Sequence, residues 1–233
     1  MSSGTIVSLV VFSLMTLFSK TCKILIVDDH DLMLRGTVDF IQENFPNANI
    51  YLASHIEDAW SKVNQIDLDL VLLDLSLPQN QGGNSRVEYG LKFLEQLMEN
   101  YPELNLTIQS SNIKSLIRLI PEIDNHLGGF TIADKILPIN TIITRVKWAI
   151  EGINYTQEIQ KNLEIKPEWI EVLTLAFEDG LQDKAIAIKM SKSQRMIRNY
   201  WSKIRDVLGV YPDENQNIRT ITQIRARETG LID

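Results

Sequence analysis

The 233-residue sequence contains a single cysteine, Cys22. One thiol excludes an internal disulfide framework and a cysteine-rich zinc site, and a free thiol in a reducing cytoplasm is the expectation. Cations are also short: 23 Lys and Arg face 30 Asp and Glu, for a net charge of −7. Taken over the whole chain, that balance argues against nucleic-acid binding. Long apolar runs are missing too. The one membrane-like stretch, IVSLVVFSLMTLF at 6–18, has thirteen residues, where a bilayer needs about 20. No basic residue precedes it and no A-x-A-like cleavage site follows it, so it does not read as a signal peptide. Residues 1–21 are therefore expected to be an apolar N-terminal extension, with Met15 as the true start and no membrane partner. No internal repeat is present, and no strand pattern occurs beyond residue 165.

Between residues 22 and 152, apolar runs alternate with segments of helical period. KILIV (23–27), IYLA (50–53), LVLLDL (70–75), LTIQS (106–110) and GFTIA (129–133) read as strands. Residues 31–45, the stripe from Ile56 to Ile66, and 88–99, 113–123 and 139–151 read as helices. LVLLDL is apolar almost throughout, as a strand covered on both faces must be. Five strands alternating with five helices predict a doubly wound, five-stranded parallel sheet. QNQGGNSRVEYG (79–90) is too polar and glycine-rich for a core and reads as a long loop. Residues 153–164 read as a polar linker, and 165–233 as helices only.

The apolar first strand runs straight into carboxylates, Asp28 and Asp29, and the third ends at Asp74. In an open parallel sheet the binding crevice lies at the carboxyl ends of the strands. Adjacent strands are about 4.8 Å apart, so these acids converge although Asp29 and Asp74 are 45 positions apart in sequence. Their repulsion calls for a counterion, and a few carboxylates with open positions suit Mg²⁺. The fourth strand ends at Ser110 and the fifth is followed by Lys135. Singly these groups are a helix cap, a turn residue and a solvated charge. Together they form a phosphoryl-transfer constellation with the central carboxylate as nucleophile.

The charge is unevenly spread. From Lys184 to Arg205 there are seven Lys or Arg and no Asp or Glu, so the remainder carries −14. Such asymmetry predicts an acidic module joined to a basic one. Residues 181–208 read as two helices about the turn SKS, with Asp183 and Ser193 as helix caps and Gly209 as the stop. Met196, Ile197, Tyr200, Ile204, Val207 and Leu208 form the expected buried stripe. Gln194, Arg195, Arg198, Asn199 and Lys203, with Lys192 in the turn, form the expected DNA-binding face. An ordinary solvated face would mix charge signs.

ILIVDDHD, LVLLDLSLP, IQSSN and GGFTIADK resemble the CheY-like receiver domain of two-component response regulators. The resemblance covers about 22–152. It implies that Asp74 is the phosphoacceptor, that Asp28, Asp29 and the backbone carbonyl of Ser76 join Asp74 in holding Mg²⁺, that Lys135 binds the phosphoryl group, and that Ser110 is the switch hydroxyl. The loop after LSLP is about eight residues longer than usual, TIADK carries about two extra residues, and QSSN leaves Ser111 and Gln109 as alternatives to Ser110. The segment 165–210 resembles the LuxR/NarL-type helix-turn-helix effector domain, and the helix containing Ile218, Ile221 and Ile224 implies homodimer contacts. The combined resemblance implies a cytoplasmic, phosphorylation-regulated transcriptional regulator. Its partners would be DNA and a sensor histidine kinase or phosphotransfer protein, and it would not be an enzyme beyond its own phosphorylation and dephosphorylation. The alternative is a pseudo-receiver that binds a protein partner, with constitutive DNA binding. An aspartate-nucleophile phosphatase needs a second acid two residues after the nucleophile, where this chain has Ser76.

Overall fold

The computed structural model describes residues 21–159, 165–213 and 216–233. The stretch 6–18, the Met15 start and residues 160–164 of the linker lie outside them. Among the described residues no helix is long and apolar enough to cross a membrane.

Five parallel strands, β1 (Lys23–Val27), β2 (Asn49–Ala53), β3 (Leu70–Leu73), β4 (Asn105–Ser110) and β5 (Phe130–Asp134), form one sheet in the order β2-β1-β3-β4-β5. Alternate side chains of each strand enter opposite cores. Leu25, Val27, Val71, Leu73, Leu106 and Ile108 face α2 (Ile56–Gln65) and α3 (Val87–Asn100). Ile24, Ile26, Leu70 and Leu72 face α1 (Asp31–Asn44) and α5 (Ile139–Ile150). The doubly wound expectation therefore holds.

The expected continuous helix over 113–123 is instead a 3₁₀ segment, Ile113–Leu119, followed by α4, Ile120–Asn125. Pro121 has no N–H to donate back into the preceding turn, and its ring crowds the carbonyl four residues earlier, so the change of helix type falls there. The loop after β3 is shorter than expected, because Leu77 and Arg86 pair as an antiparallel bridge and α3 begins at Val87. Gly90 lets α3 approach the chain just after β3: a Cβ there would lie 2.0 Å from the Leu75 carbonyl oxygen. After α5 the chain returns to the sheet, where Tyr155 bridges to Thr131. The Arg145 guanidinium lies 3.5 Å from the centre of the Tyr155 ring and bonds Glu158 at 3.0 Å.

The remaining helices are α6 (Pro167–Phe177), α7 (Asp183–Lys189), α8 (Gln194–Leu208) and α9 (Ile218–Glu228). Ser193 caps α8, accepting from the Met196 amide, and Gly209 ends it with φ 64, a left-handed C-cap open to glycine. Two local expectations change. The buried stripe of α8 is Ile197, Trp201, Ile204 and Leu208, whereas Met196 is 41% exposed. Steps of four, three and four residues carry the stripe through Trp201 and leave Met196 at its edge. Asp183 makes no cap hydrogen bond; it accepts from Trp201 Nε1 at 3.0 Å and pairs with Arg219.

Candidate functional site

Register alone brings the first two acids together. Val27 pairs with Leu73, so the next residues, Asp28 and Asp74, leave the sheet side by side. The Asp74 amide donates to the Val27 carbonyl at 2.9 Å and the Asp28 amide to Ala53 at 3.1 Å. Asp28 is 6% exposed and Asp74 4%, so their charges are drawn out of water and need partners. Lys135, just past β5, supplies one: its Nζ lies 2.7 Å from Asp28 Oδ2 and 2.8 Å from Asp74 Oδ2. Burial alone would lower the pKa of this ammonium, but its hydrogen bonds to Asp28 and Asp74 and the attraction of their charges together outweigh burial and raise it.

The other carboxylate oxygens are held as well. The His30 amide donates to Asp28 Oδ1 at 2.9 Å, and the Ser76 amide to Asp74 Oδ1 at 3.2 Å. Asp29 Oδ2 accepts from the Ser85 hydroxyl. Asp29 Oδ1 is buried and receives no hydrogen bond. His30 Nδ1 lies 2.7 Å from it without hydrogen-bond alignment, an approach that becomes an ion pair when the imidazole is protonated. One ligand atom from each of Asp28, Asp29, His30 and Asp74 falls within 4.8 Å of the others. Three converging carboxylates, one with a buried oxygen that accepts no hydrogen bond, fit a hard divalent cation that prefers oxygen donors.

The expected site residues thus fall into two groups. Asp28, Asp29, Asp74 and Lys135 converge. Ser76 touches Asp74 through its amide. Ser110 is fully buried at the end of β4, opposite Asp134, and its hydroxyl accepts from the Asn112 amide at 3.2 Å. Among the described residues no hydrogen bond joins Ser110 to Asp74. Ser111 lines a cavity of about 790 Å³ with Ser76, Ser85, Lys114 and Asp233, while Gln109 is buried. Sequence reasoning passed over His30 and Ser85. His30 stood inside the quoted carboxylate motif; Ser85 lay in a loop with no periodicity to mark it.

The far end of the chain reaches the same region. Arg118, on the 3₁₀ segment, donates to the Gly230 carbonyl and to Asp233 Oδ1, each at 2.8 Å. Lys114 donates to the Glu228 carbonyl at 3.3 Å, and Leu231 and Ile232 are buried. Burial raises the Glu178 pKa, with the Asp233 amide donating to its carboxylate at 3.4 Å and opposing the shift.

The second expected site lies on α8 and the turn before it. Lys192, Gln194, Arg195, Arg198, Asn199 and Lys203 are all exposed. Among the described residues none of the four cations has an ion-pair partner, whereas Lys189, on α7, is paired with Asp179.

Residues 24–120 match the family model of the response regulator receiver domain. The chain is similar to the transcriptional regulatory protein YdfI of Bacillus subtilis (strain 168), with 25% identity over 225 residues, 90% of this chain and 97% of the relative. It is similar in fold to RcsB from Salmonella enterica serovar Typhimurium bound to promoter rprA in the presence of the phosphomimetic BeF₃⁻. There the TM-score is 0.55 and the identity 18%, over 88% of this chain and 99% of that one. A structure of two RcsB dimers bound to two parallel DNAs gives a TM-score of 0.57 at 19% identity, over 90% of this chain and 99% of that chain. Residues 24–120 thus carry a receiver domain, and among the described residues the chain beyond residue 165 is built of helices without a strand.

Proposed function

We propose that the chain is a transcriptional regulator of the LuxR/NarL type, acting in the cytoplasm, whose DNA binding is governed by phosphorylation of Asp74. The observation that carries this reading is the shared Lys135 ammonium, 2.7 Å from Asp28 and 2.8 Å from Asp74, in a crevice of three carboxylates.

In the reaction, one Asp74 carboxylate oxygen attacks the phosphorus of a phosphohistidine on a kinase or phosphotransfer protein. The P–N bond breaks, a P–O bond forms, and the imidazole leaves with the electron pair and takes a proton. Bound Mg²⁺, held by Asp28, Asp29, Asp74 and the Ser76 carbonyl, would supply positive charge to the transferred phosphoryl oxygens. Lys135 is a second such charge, already at the carboxylate that reacts. The Ser76 amide orients Asp74. Burial of Asp28 and Asp74 fixes the acceptor, so little reorganisation is needed at the moment of transfer.

Phosphorylation replaces one negative charge with an acyl phosphate of about −1.5 to −2. The Ser110 hydroxyl is the nearest switch candidate in sequence order. Turning it toward the phosphoryl group breaks its bond to the Asn112 amide, at the start of the 3₁₀ segment. That segment carries Lys114 and Arg118, which hold the C-terminal residues. Loss of those bonds shifts a two-state equilibrium toward a released effector and a homodimer on DNA. The exposed face of α8 then enters a major groove, with Gln194, Arg195, Arg198 and Asn199 toward the bases and Lys192 and Lys203 toward phosphates. The pseudo-receiver alternative would leave the convergence of three acids and Lys135 without a task, and no observation favours it.

The test is incubation with a small phosphodonor and Mg²⁺, read by intact mass. Wild type should gain one phosphoryl group, and only with Mg²⁺. A gain that persists in Asp74→Asn would contradict the assignment.

A further inference from the structure

The three carboxylates at the head of the sheet are not held alike. Both oxygens of Asp28 are taken, by the His30 amide and Lys135, and both oxygens of Asp74, by the Ser76 amide and Lys135. Asp29 is touched by neither Lys135 nor a backbone amide. Among the described residues its one hydrogen-bond donor is the Ser85 hydroxyl, 56 positions away and on Oδ2; the His30 imidazole lies 2.7 Å from Oδ1 without hydrogen-bond alignment.

Ser85 is brought there by a built strap, the long loop after β3. The Pro78 and Gln79 carbonyls accept from the Ile56 and Glu57 amides in the first turn of α2, each at 3.1 Å. These are amide groups that a helix start leaves without an intrahelical acceptor, so the strap and α2 fix each other. The Gly83 amide donates to Asn80 at 3.1 Å across the tip, and the Arg86 amide donates to Leu77 at 3.0 Å where the strap closes. Ser85 stands next to that closing pair, so its position is set by backbone bonds rather than by its own side chain.

We propose that Ser85 is a positioning residue for the divalent-ion seat: by occupying Asp29 Oδ2 it holds the buried Oδ1, which accepts no hydrogen bond, toward the ion. The proposal rests on the reading of the acidic crevice as an ion seat. Metal-ligating carboxylates depend on outer donors to hold their orientation, and loss of one such donor lowers metal affinity by about 10–100-fold. Without Ser85 the Asp29 carboxylate keeps only the unaligned His30 contact and can rotate away from two neighbouring acids, which repel it.

The experiment is Mn²⁺ binding to the unphosphorylated full chain, read from the free-ion EPR signal and competed with Mg²⁺. Mn²⁺ shares the preference for oxygen ligands. Ser85→Ala should weaken binding about tenfold, the low end for an outer donor because this serine is exposed. Ser85→Thr, which keeps the hydroxyl, should stay within about twofold of wild type, and metal-free thermal unfolding should match wild type in both variants. Binding by Ser85→Ala within about twofold of wild type overturns the proposal while leaving the ion seat intact. Equal weakening by Ala and Thr, or a drop in metal-free stability that accompanies the weakening, also overturns it. If wild type itself binds no Mn²⁺, the ion seat and the role of Ser85 fall together, a result distinct from the others because it appears before any substitution.

Discussion

The acidic crevice and the basic face of α8 treat charge in opposite ways. In the crevice, Asp28 and Asp74 are buried and share Lys135, and every one of their carboxylate oxygens accepts a hydrogen bond. On α8 and its preceding turn, Lys192, Arg195, Arg198 and Lys203 are exposed, and among the described residues they have no ion-pair partner. Charges withdrawn from water must be paired within the fold, and removing one leaves the others uncompensated. Charges left in water stabilise the fold little and remain available to an outside partner. The first arrangement suits chemistry on the protein itself. The second suits a polyanion whose contacts release counterions.

This contrast is broken most severely at Lys135. Lys135→Ala leaves Asp28 and Asp74 adjacent without their shared cation. It is expected to lower unfolding stability by about 3 kcal/mol, the lower range for a broken buried pair. Chemical denaturation without divalent ions measures it, and added Mg²⁺ should restore part of the loss. The same pair predicts a pH effect. The Lys135 pKa is raised in the folded state, so its contribution is complete below the unfolded value of 10.5 and is lost as pH rises through the folded value. Stability of wild type should therefore fall on the alkaline side more steeply than that of Lys135→Ala, by at most about 1.4 kcal/mol per pH unit.

Arg219 sharpens the comparison from within the basic domain. Its guanidinium lies 3.6 Å from the centre of the Trp201 ring and pairs with Asp183 at 3.2 Å, joining α9 to α7 and α8. Arg219→Ala is expected to cost about 1 kcal/mol, a cation–π contact plus a part-exposed ion pair, measurable by thermal unfolding. Sign of charge thus does not decide the role of a residue; pairing does.

The smallest stability effect is expected on the free face. Lys203→Ala should change stability by less than about 0.5 kcal/mol, yet reduce the slope of log affinity for random duplex against log salt by about 1. Arg198→Ala or Asn199→Ala should instead cost about 1–3 kcal/mol at one base pair of a selected site and relax specificity there. Equilibrium binding at several salt concentrations separates the two outcomes.

Legibility in the sequence follows the same physics. Parallel strands with apolar runs end abruptly, so Asp28, Asp74 and Lys135 could be placed at one edge from sequence order alone. The Ser193 cap and the Gly209 stop were legible because each satisfies the backbone groups of one helix end. His30 and Ser85 were not legible, because loop geometry sets the direction of their side chains and loops carry no period. The bonds from Arg118 to Gly230 and Asp233 were hidden for a related reason: they join segments more than one hundred residues apart. Tyr155 and Glu158 looked like polar linker, and only tertiary neighbours, Arg145 for both and the bridge to Thr131 for Tyr155, tie them to the fold. Met196 was misplaced by one step on its helix, since Trp201 competes for the same core.

The most direct test of the account is duplex binding by wild type and Asp74→Asn, each with and without phosphodonor and Mg²⁺, across several salt concentrations. The account predicts salt-dependent binding by wild type that tightens on phosphorylation, while Asp74→Asn binds without any response to the phosphodonor. An equal response in Asp74→Asn, or no salt-dependent binding by wild type in either state, would contradict it.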